Sequence, residues 1–264
     1  MNYTSKHAIM GMMSARYVPF DNWGGYIKNK KEVVLFNPSL IKDYNDYEKI
    51  SLHYLTEIPN NVNISSKYNS NMLVSVFNED FFKLSGWKYR EIREARNKYN
   101  KIVKIEHSIK DIGVVVNFIK EWNKKRGDER YGWQLHSGYD VSFFEKYYEQ
   151  EKNDLWSNFY YIDNVFVGYS IISKICEENC YNYLIRKNNV DLRNLCLYVD
   201  YKSFERMFNE EKSNFLINWG CSSGSLKKYK SKFPIHSCEK RYFIKIKNEP
   251  KTIRQNELFQ SISN

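Results

Sequence analysis

Asn218-Trp219-Gly220-Cys221-Ser222-Ser223-Gly224-Ser225-Leu226-Lys227-Lys228-Tyr229-Lys230-Ser231-Lys232-Phe233-Pro234 is the stretch on which the reading of this chain turns. The apolar run from Phe215 to Trp219 has the length of a buried strand, and glycine and serine then make a turn. A short basic helix follows and stops before Pro234. Glycine permits positive φ and close backbone approach, and the free N–H groups of a new helix favour an anion. Lys227, Lys228, Lys230 and Lys232 would add positive charge around it. On physics alone, a plain strand-to-helix connection with a solvated lysine face fits the same residues.

Outward from this stretch, apolar periodicity alternates between strand and helix, so the fold class is α/β with a mixed central sheet flanked by helices. Tyr26-Ile27 and Val33 to Phe36 read as a hairpin around Lys28 to Lys31, closed by Asn37-Pro38. A helix is expected over Leu40 to Glu57 and a strand over Met72 to Phe77. Helices follow at Tyr89 to Asn100 and Ile109 to Lys125, the second with Ile112, Val115, Val116, Ile119 and Trp122 on one apolar face. Asp140 is placed as the cap of a third helix through Phe143, Phe144, Tyr147 and Tyr148. Asp163-Asn164 joins strands at Trp156 to Ile162 and Val165 to Lys174. Strands at Tyr181 to Arg186 and Leu195 to Val199, a helix at Tyr201 to Asn209 and a strand at Arg241 to Lys247 complete the expectation.

The composition narrows the partners. With 42% hydrophobic and 17% aromatic residues the chain can bury a core. A net charge of +10 favours an anionic partner such as nucleic acid or a phosphorylated donor, although a Lys-rich, Asn-rich codon bias accounts for part of it. Five cysteines without framework spacing argue against a secreted disulfide scaffold. The C-x3-C pair Cys176 and Cys180 encloses a hairpin turn, and neither it nor the His236/Cys238 pair has the further ligands of a metal site. No signal peptide or spanning stretch is legible, so a cytoplasmic protein without stable membrane association is expected. Walker, G-x-S-x-G and H-E-x-x-H motifs do not occur, which leaves NTPase and common hydrolase readings without support. His136 is read as loop surface before general base, and Asp191 and Asp200 as caps or turns before acceptor-orienting groups.

A second segment carries charge of its own. In Leu84-Ser85-Gly86-Trp87-Lys88-Tyr89-Arg90-Glu91-Ile92-Arg93-Glu94-Ala95-Arg96-Asn97, a helix begun after Gly86 brings Arg93, Arg96 and Asn97 to neighbouring positions able to hold a phosphate. The plainer alternative is an exposed helix laced with Glu91 and Glu94 ion pairs.

Taken in order, these segments resemble a known group. Leu84-Ser85-Gly86-x-Lys88-Tyr89 with Arg93, Arg96 and Asn97 is similar to the opening "LSGxKY…RN" of lysyltransferase-type (DUF2156) domains, and Glu121-Trp122 with Arg126 to their "EW…R". Asn218-x-Gly220 followed by Gly224-Ser225-Leu226 and Tyr229-Lys230-x2-Phe233 resembles both their "N-G…G-L-K-K" and the "G-x-x-x-F-K-x-x-F" of FemAB-type aminoacyl transferases. The resemblance spans Leu84 to Phe233 and implies an acetyltransferase-like (GNAT) fold, or two GNAT-like halves. With the cut placed at the basic helix, where the layout of elements changes, the chain is expected to comprise a degenerate GNAT-like half at 1–88, a transferase domain at 89–250 and a polar tail at 251–264.

The same resemblance implies an enzyme that moves an acyl or aminoacyl group to an amine or hydroxyl. Lys230 matches the lysine at the FemAB-type reaction centre and, with Tyr229, is expected to be catalytic. Lys88, Tyr89, Arg93, Arg96, Asn97, Trp122, Asn218, Gly220, Gly224 and Ser225 are expected to bind substrate. No tightly bound cofactor is expected. An R/Q-x-x-G-x-G/A pyrophosphate loop does not occur between Tyr181 and Asn209, which favours aminoacyl-tRNA over acyl-CoA as donor. The familiar lysyltransferases have a large membrane domain that is not found here, which puts a lipid acceptor in doubt. Two other readings stay open: a nucleic-acid base-modifying enzyme of the same fold, of the kind that modifies phage DNA, and a GNAT-like binding module without catalysis.

Overall fold

The computed structural model describes residues 18–19, 25–29, 31–36, 38–44, 47–55, 57–60, 63–126, 137–176, 179–222 and 224–247. Eleven strands occur among them: β1 (Val18–Pro19), β2 (Gly25–Asn29), β3 (Glu32–Leu35), β4 (Lys49–Leu55), β5 (Ile64–Phe77), β6 (Val103–Glu106), β7 (Leu155–Ile162), β8 (Val165–Cys176), β9 (Cys180–Asn188), β10 (Phe215–Ser222) and β11 (Ile235–Lys247). The α-helices are α1 (Glu79–Phe82), α2 (Arg90–Tyr99), α3 (Ile112–Arg126), α4 (Ser137–Lys146), α5 (Tyr148–Glu151), α6 (Leu195–Glu211) and α7 (Gly224–Lys230). Two compact units form, one built on Ser70–Lys240, the other on the described residues of Arg16–Asn69 and Arg241–Asn264. The boundary expected at 88 lies inside the larger unit, between Lys88 and α2.

In the larger unit the strand order is β5-β10-β9-β8-β7-β6. β10 runs antiparallel to β5 and parallel to β9, and the pairs β9/β8, β8/β7 and β7/β6 are antiparallel. The alternation of β-branched and aromatic residues feeds two cores. One joins the sheet to α1, α2 and α6 through Phe77, Phe81, Tyr99, Tyr198, Phe204 and Phe215. The other joins it to α3 and α4 through Val115, Ile119, Phe143, Phe144, Phe159 and Tyr169. Each such fully buried side chain contributes about 1.5–3 kcal/mol before entropy is charged against it. The β7–β8 turn places Asp163 at φ 50 and Asn164 at φ 64, the left-handed pair that the Asp-Asn dipeptide is suited to.

In the smaller unit β2 and β3 form the expected antiparallel hairpin, β3 pairs parallel with β4, and β4 pairs antiparallel with Tyr242 to Lys247 of β11. Val33, Leu35, Ile50, Leu52, Ile244 and Ile246, two apart on each strand, make one apolar face.

Several expectations change. Leu40 to Glu57 is not one helix: a 3-10 helix spans Pro38–Tyr44, and β4 takes the alternating Lys49 to Leu55. Leu195 to Val199 is not a strand but the first turns of α6, which runs on through the helix expected from Tyr201. Asp140 does not cap α4. It lies inside that helix, where its carboxylate accepts from Lys187 Nζ and, at 3.3 Å, from the Tyr169 hydroxyl. Among the described residues no helix is long and apolar enough to cross a membrane. His136 and the tail at 251–264 lie outside the described residues.

Candidate active site

The parallel strands β9 and β10 pair only from Leu216↔Cys180 to Asn218↔Asn182. Beyond that point β9 continues to Asn188 against β8, while β10 shifts register between Asn218 and Cys221 against β5. Gly220 takes φ 71 in this irregularity, a conformation that costs an L residue about 1–2 kcal/mol. Gly224, at φ 52, then turns the chain into α7. The sheet therefore opens between β9 and β10, immediately before the glycine turn and the basic helix.

A polar cluster occupies the α6 and α7 side of this split. Asp200 on α6 has no exposed surface, and its carboxylate accepts from Tyr183 OH at 2.5 Å, Tyr229 OH at 2.6 Å and Arg186 Nη1 at 2.8 Å. The same Arg186 nitrogen donates to Tyr229 Oη at 2.8 Å, and the guanidinium lies 4.9 Å from the centre of the Tyr229 ring. Burial pushes the Asp200 carboxyl above its ordinary value, against the pull of Arg186 and the two phenols. Burial also works against the Arg186 charge, but Asp200 and the phenols hold it protonated well above its usual range. Three donors converging on two oxygens fit an ionised carboxylate, so the pair is charged at neutral pH. Burial raises the Tyr183 and Tyr229 phenols well above 10, so both keep their protons. Trp219 packs edge-on against Tyr183, with ring centres 5.2 Å apart.

Lys230, at the end of α7, is 7% exposed and turns back to β10, where Nζ donates to Trp219 O at 2.5 Å and Ser222 Oγ at 2.6 Å. A buried lysine nitrogen is thereby fixed beside the backbone irregularity at Gly220. Asn218 accepts from Gly220 N at 2.9 Å through Oδ1 and donates through Nδ2 to Asn182 Oδ1 at 2.8 Å. Asn182 Nδ2 is buried and has no hydrogen-bond partner among the described residues. An unmet buried donor of this kind costs about 1–3 kcal/mol.

Lys230, Tyr229, Asn218, Gly220, Gly224 and Ser225 thus meet where β10 passes into α7, the last two at the exposed start of that helix. The basic segment before them lies elsewhere in the unit. Arg93 gives Nη1 to the carbonyls of Leu84 and Gly86, the latter at 2.6 Å, and so closes the turn that precedes α2. Lys88 is exposed, 5.3 Å from the Tyr89 ring centre, and Asn97 is exposed. Arg96 faces Tyr201 of α6. Glu91 pairs with Lys232 and ties α2 to the end of α7. Trp122 donates Nε1 to Asn188 O at 3.0 Å, with Lys187 Nζ 4.5 Å from its ring centre. It therefore serves the face of β9 opposite to Arg186. Sequence reasoning missed Arg186, Tyr183 and Asn182. An arginine and an asparagine inside an apolar strand each need a partner, and that demand was the available signal.

A cleft of about 280 Å³ lies between β6, β7 and α6, lined by His107, Asn158, Lys202, Glu205, Arg206 and Glu210 among others. Its charges are paired internally, Arg206 with Glu210 at 2.6 Å and Lys202 with Glu205. Among the described residues no group of three or more His, Cys, Asp or Glu side chains could hold a metal ion.

No protein-family model and no curated protein matches the sequence. Solved structures match the fold. The C-terminal (DUF2156) domain of a putative lysylphosphatidylglycerol synthetase from Agrobacterium fabrum is similar at TM-score 0.59 and 9% identity, over 94% of this chain and 89% of that one. FemX is similar at TM-score 0.54 and 8% identity, over 98% of this chain and 94% of that one. A tandem GNAT protein from the clavulanic acid biosynthesis pathway is similar at TM-score 0.52 and 8% identity, over 86% and 78%. At such identities the likeness is one of fold, and the fold is GNAT-like.

Proposed function

We propose that the chain transfers an acyl or aminoacyl group from an activated ester to an amine or hydroxyl, at the split between β9 and β10. The observation that carries this is the parting of the two strands after Asn218, beside the buried Lys230 nitrogen and a phenol that keeps its proton. The acceptor attacks the donor carbonyl carbon, a new C–N or C–O bond forms, and the carbonyl oxygen gathers negative charge. Lys230 supplies a fixed positive charge for that oxygen. Because its Nζ is already held by Trp219 O and Ser222 Oγ, little reorganisation is needed when charge develops. When the C–O bond to the leaving group breaks, the departing oxygen needs a proton, which Tyr229 provides and recovers from the acceptor. Asp200 and Arg186 hold the Tyr229 hydroxyl in place.

Aminoacyl-tRNA is the favoured donor. The connection from β9 to α6, Asn189-Val190-Asp191-Leu192-Arg193-Asn194, contains no glycine to cradle the pyrophosphate of acyl-CoA. The +10 charge suits a polyanionic partner. The test is a transfer assay with tRNA charged with radiolabelled amino acids, and in parallel with labelled acetyl-CoA, using peptide, lipid and small-amine fractions as acceptors. Wild type should move label from charged tRNA. Lys230→Met and Tyr229→Phe should each lower turnover at least about 100-fold while folding normally. No transfer by wild type from either donor, or full turnover by Lys230→Met, would sink the proposal.

A further inference from the structure

The hydrogen-bond chain at the split fixes the orientation of two amides that are otherwise ambiguous. Gly220 N can only donate, so the Asn218 atom facing it is Oδ1. Asn218 therefore turns Nδ2 towards Asn182, which must answer with its own Oδ1. What remains is Asn182 Nδ2, with two N–H groups and no partner among the described residues, on a side chain only 5% exposed. Asn182 is also the last residue of β9 that pairs with β10, so this donor sits at the point where the strands part.

Its neighbours sharpen the chemistry. Tyr183, next along the strand, turns to Asp200 and α6, so Asn182 belongs to the opposite face of the sheet. In the row across the sheet, Asn182 stands between Asn218 on β10 and Ser173 on β8, both buried. A row of neutral polar side chains without a cation suits a neutral oxygen acceptor, not a phosphate or carboxylate.

We infer that Asn182 is a substrate-binding residue whose Nδ2 donates to the carbonyl oxygen of an ester, thioester or amide group held at the split. The inference rests on the transfer reading only for the role of that carbonyl, as part of the donor. The Asn182 amide binds and orients it from one face while Tyr229 and Lys230 are supplied from α7.

The test uses the 15N-labelled full chain. Its Asn182 side-chain NH2 resonances are identified by their loss in Asn182→Asp, which keeps Oδ1 for Asn218 and replaces the donor with an acceptor. Lysine methyl ester and acetyl-CoA serve as carbonyl probes. The expected result is that the Asn182 resonances shift on titration with at least one probe, and that Asn182→Asp binds that probe at least ten-fold more weakly. With a donor that wild type turns over, KM should rise at least ten-fold and kcat change less, in Asn182→Asp and in the uncharged Asn182→Ser alike, each assayed below its own melting temperature because a buried carboxylate lowers that of Asn182→Asp. Shifted resonances without any turnover by wild type would sustain the binding assignment and overturn the transfer reading. Turnover by wild type with unshifted resonances and an unchanged KM in Asn182→Asp would overturn the assignment and leave the transfer reading standing. Resonances that stay still with both probes and no turnover would overturn the assignment as well.

Discussion

Arg186 and Asp200 show what a single residue is worth in this protein. The guanidinium is one-fifth exposed and its carboxylate partner not at all, so removal of either leaves a charge that water reaches poorly. Asp200→Asn keeps the shape but withdraws the negative charge from Arg186 and from two phenols that donate to it. It is expected to lower stability by about 3–5 kcal/mol, read as a shifted midpoint in urea unfolding. A loss under about 1 kcal/mol would mean that the cluster is wetter than its burial implies. Part of this site was legible in the sequence. Lys230 and Tyr229 follow Gly220 and Gly224, whose left-handed turn any reader of the sequence can anticipate. For Arg186 the sequence held only half the signal: an arginine inside an apolar strand demands a partner, but that partner arrives from the next helix and no local pattern names it.

Elements were read well where the period was unambiguous. Helix α2 and hairpin β7–β8 fall within a residue or two of expectation, because both carry a full pattern and a proper turn. Leu195-Cys196-Leu197-Tyr198-Val199 is apolar at every position, and such a run suits a buried strand or a buried helix alike. All five face protein in α6, where the helix is packed between α2 and the sheet. The outer half of β5, Ile64 to Ser70, was invisible for the opposite reason, since it is mostly exposed and polar and has no apolar alternation. Glycines test the strands directly. At Gly168 in β8 a Cβ would lie 2.7 Å from Lys187 O and 2.9 Å from Asn188 Cα, so backbone must move. At Gly220 a Cβ would meet open space, and only its φ of 71° resists. Gly168→Ala should therefore cost about 3 kcal/mol and Gly220→Ala about 1 kcal/mol, an order that paired thermal melts will verify or reverse.

Across the whole molecule the 22 tyrosines set the alkaline limit of the fold. Burial lifts Tyr198 and Tyr201 to about 12, and Tyr160, Tyr183 and Tyr229 further, against about 10 in an unfolded chain. The folded state keeps these protons longer, so their contribution is intact below pH 10 and is lost as pH rises through 12. Absorbance at 295 nm should show a late tyrosine fraction that ionises together with the loss of near-UV circular dichroism. A smooth titration centred on 10, with the fold intact, would contradict the burial. The smaller unit, finally, draws β2 to β4 from early in the chain and the last part of β11 from near its other end. A ribosome delivers Ile50 and Leu52 long before Ile244 and Ile246 emerge. Until β11 emerges the β4 edge must wait bare, an invitation to wrong pairings, and the nascent protein is in this respect a natural client for chaperones.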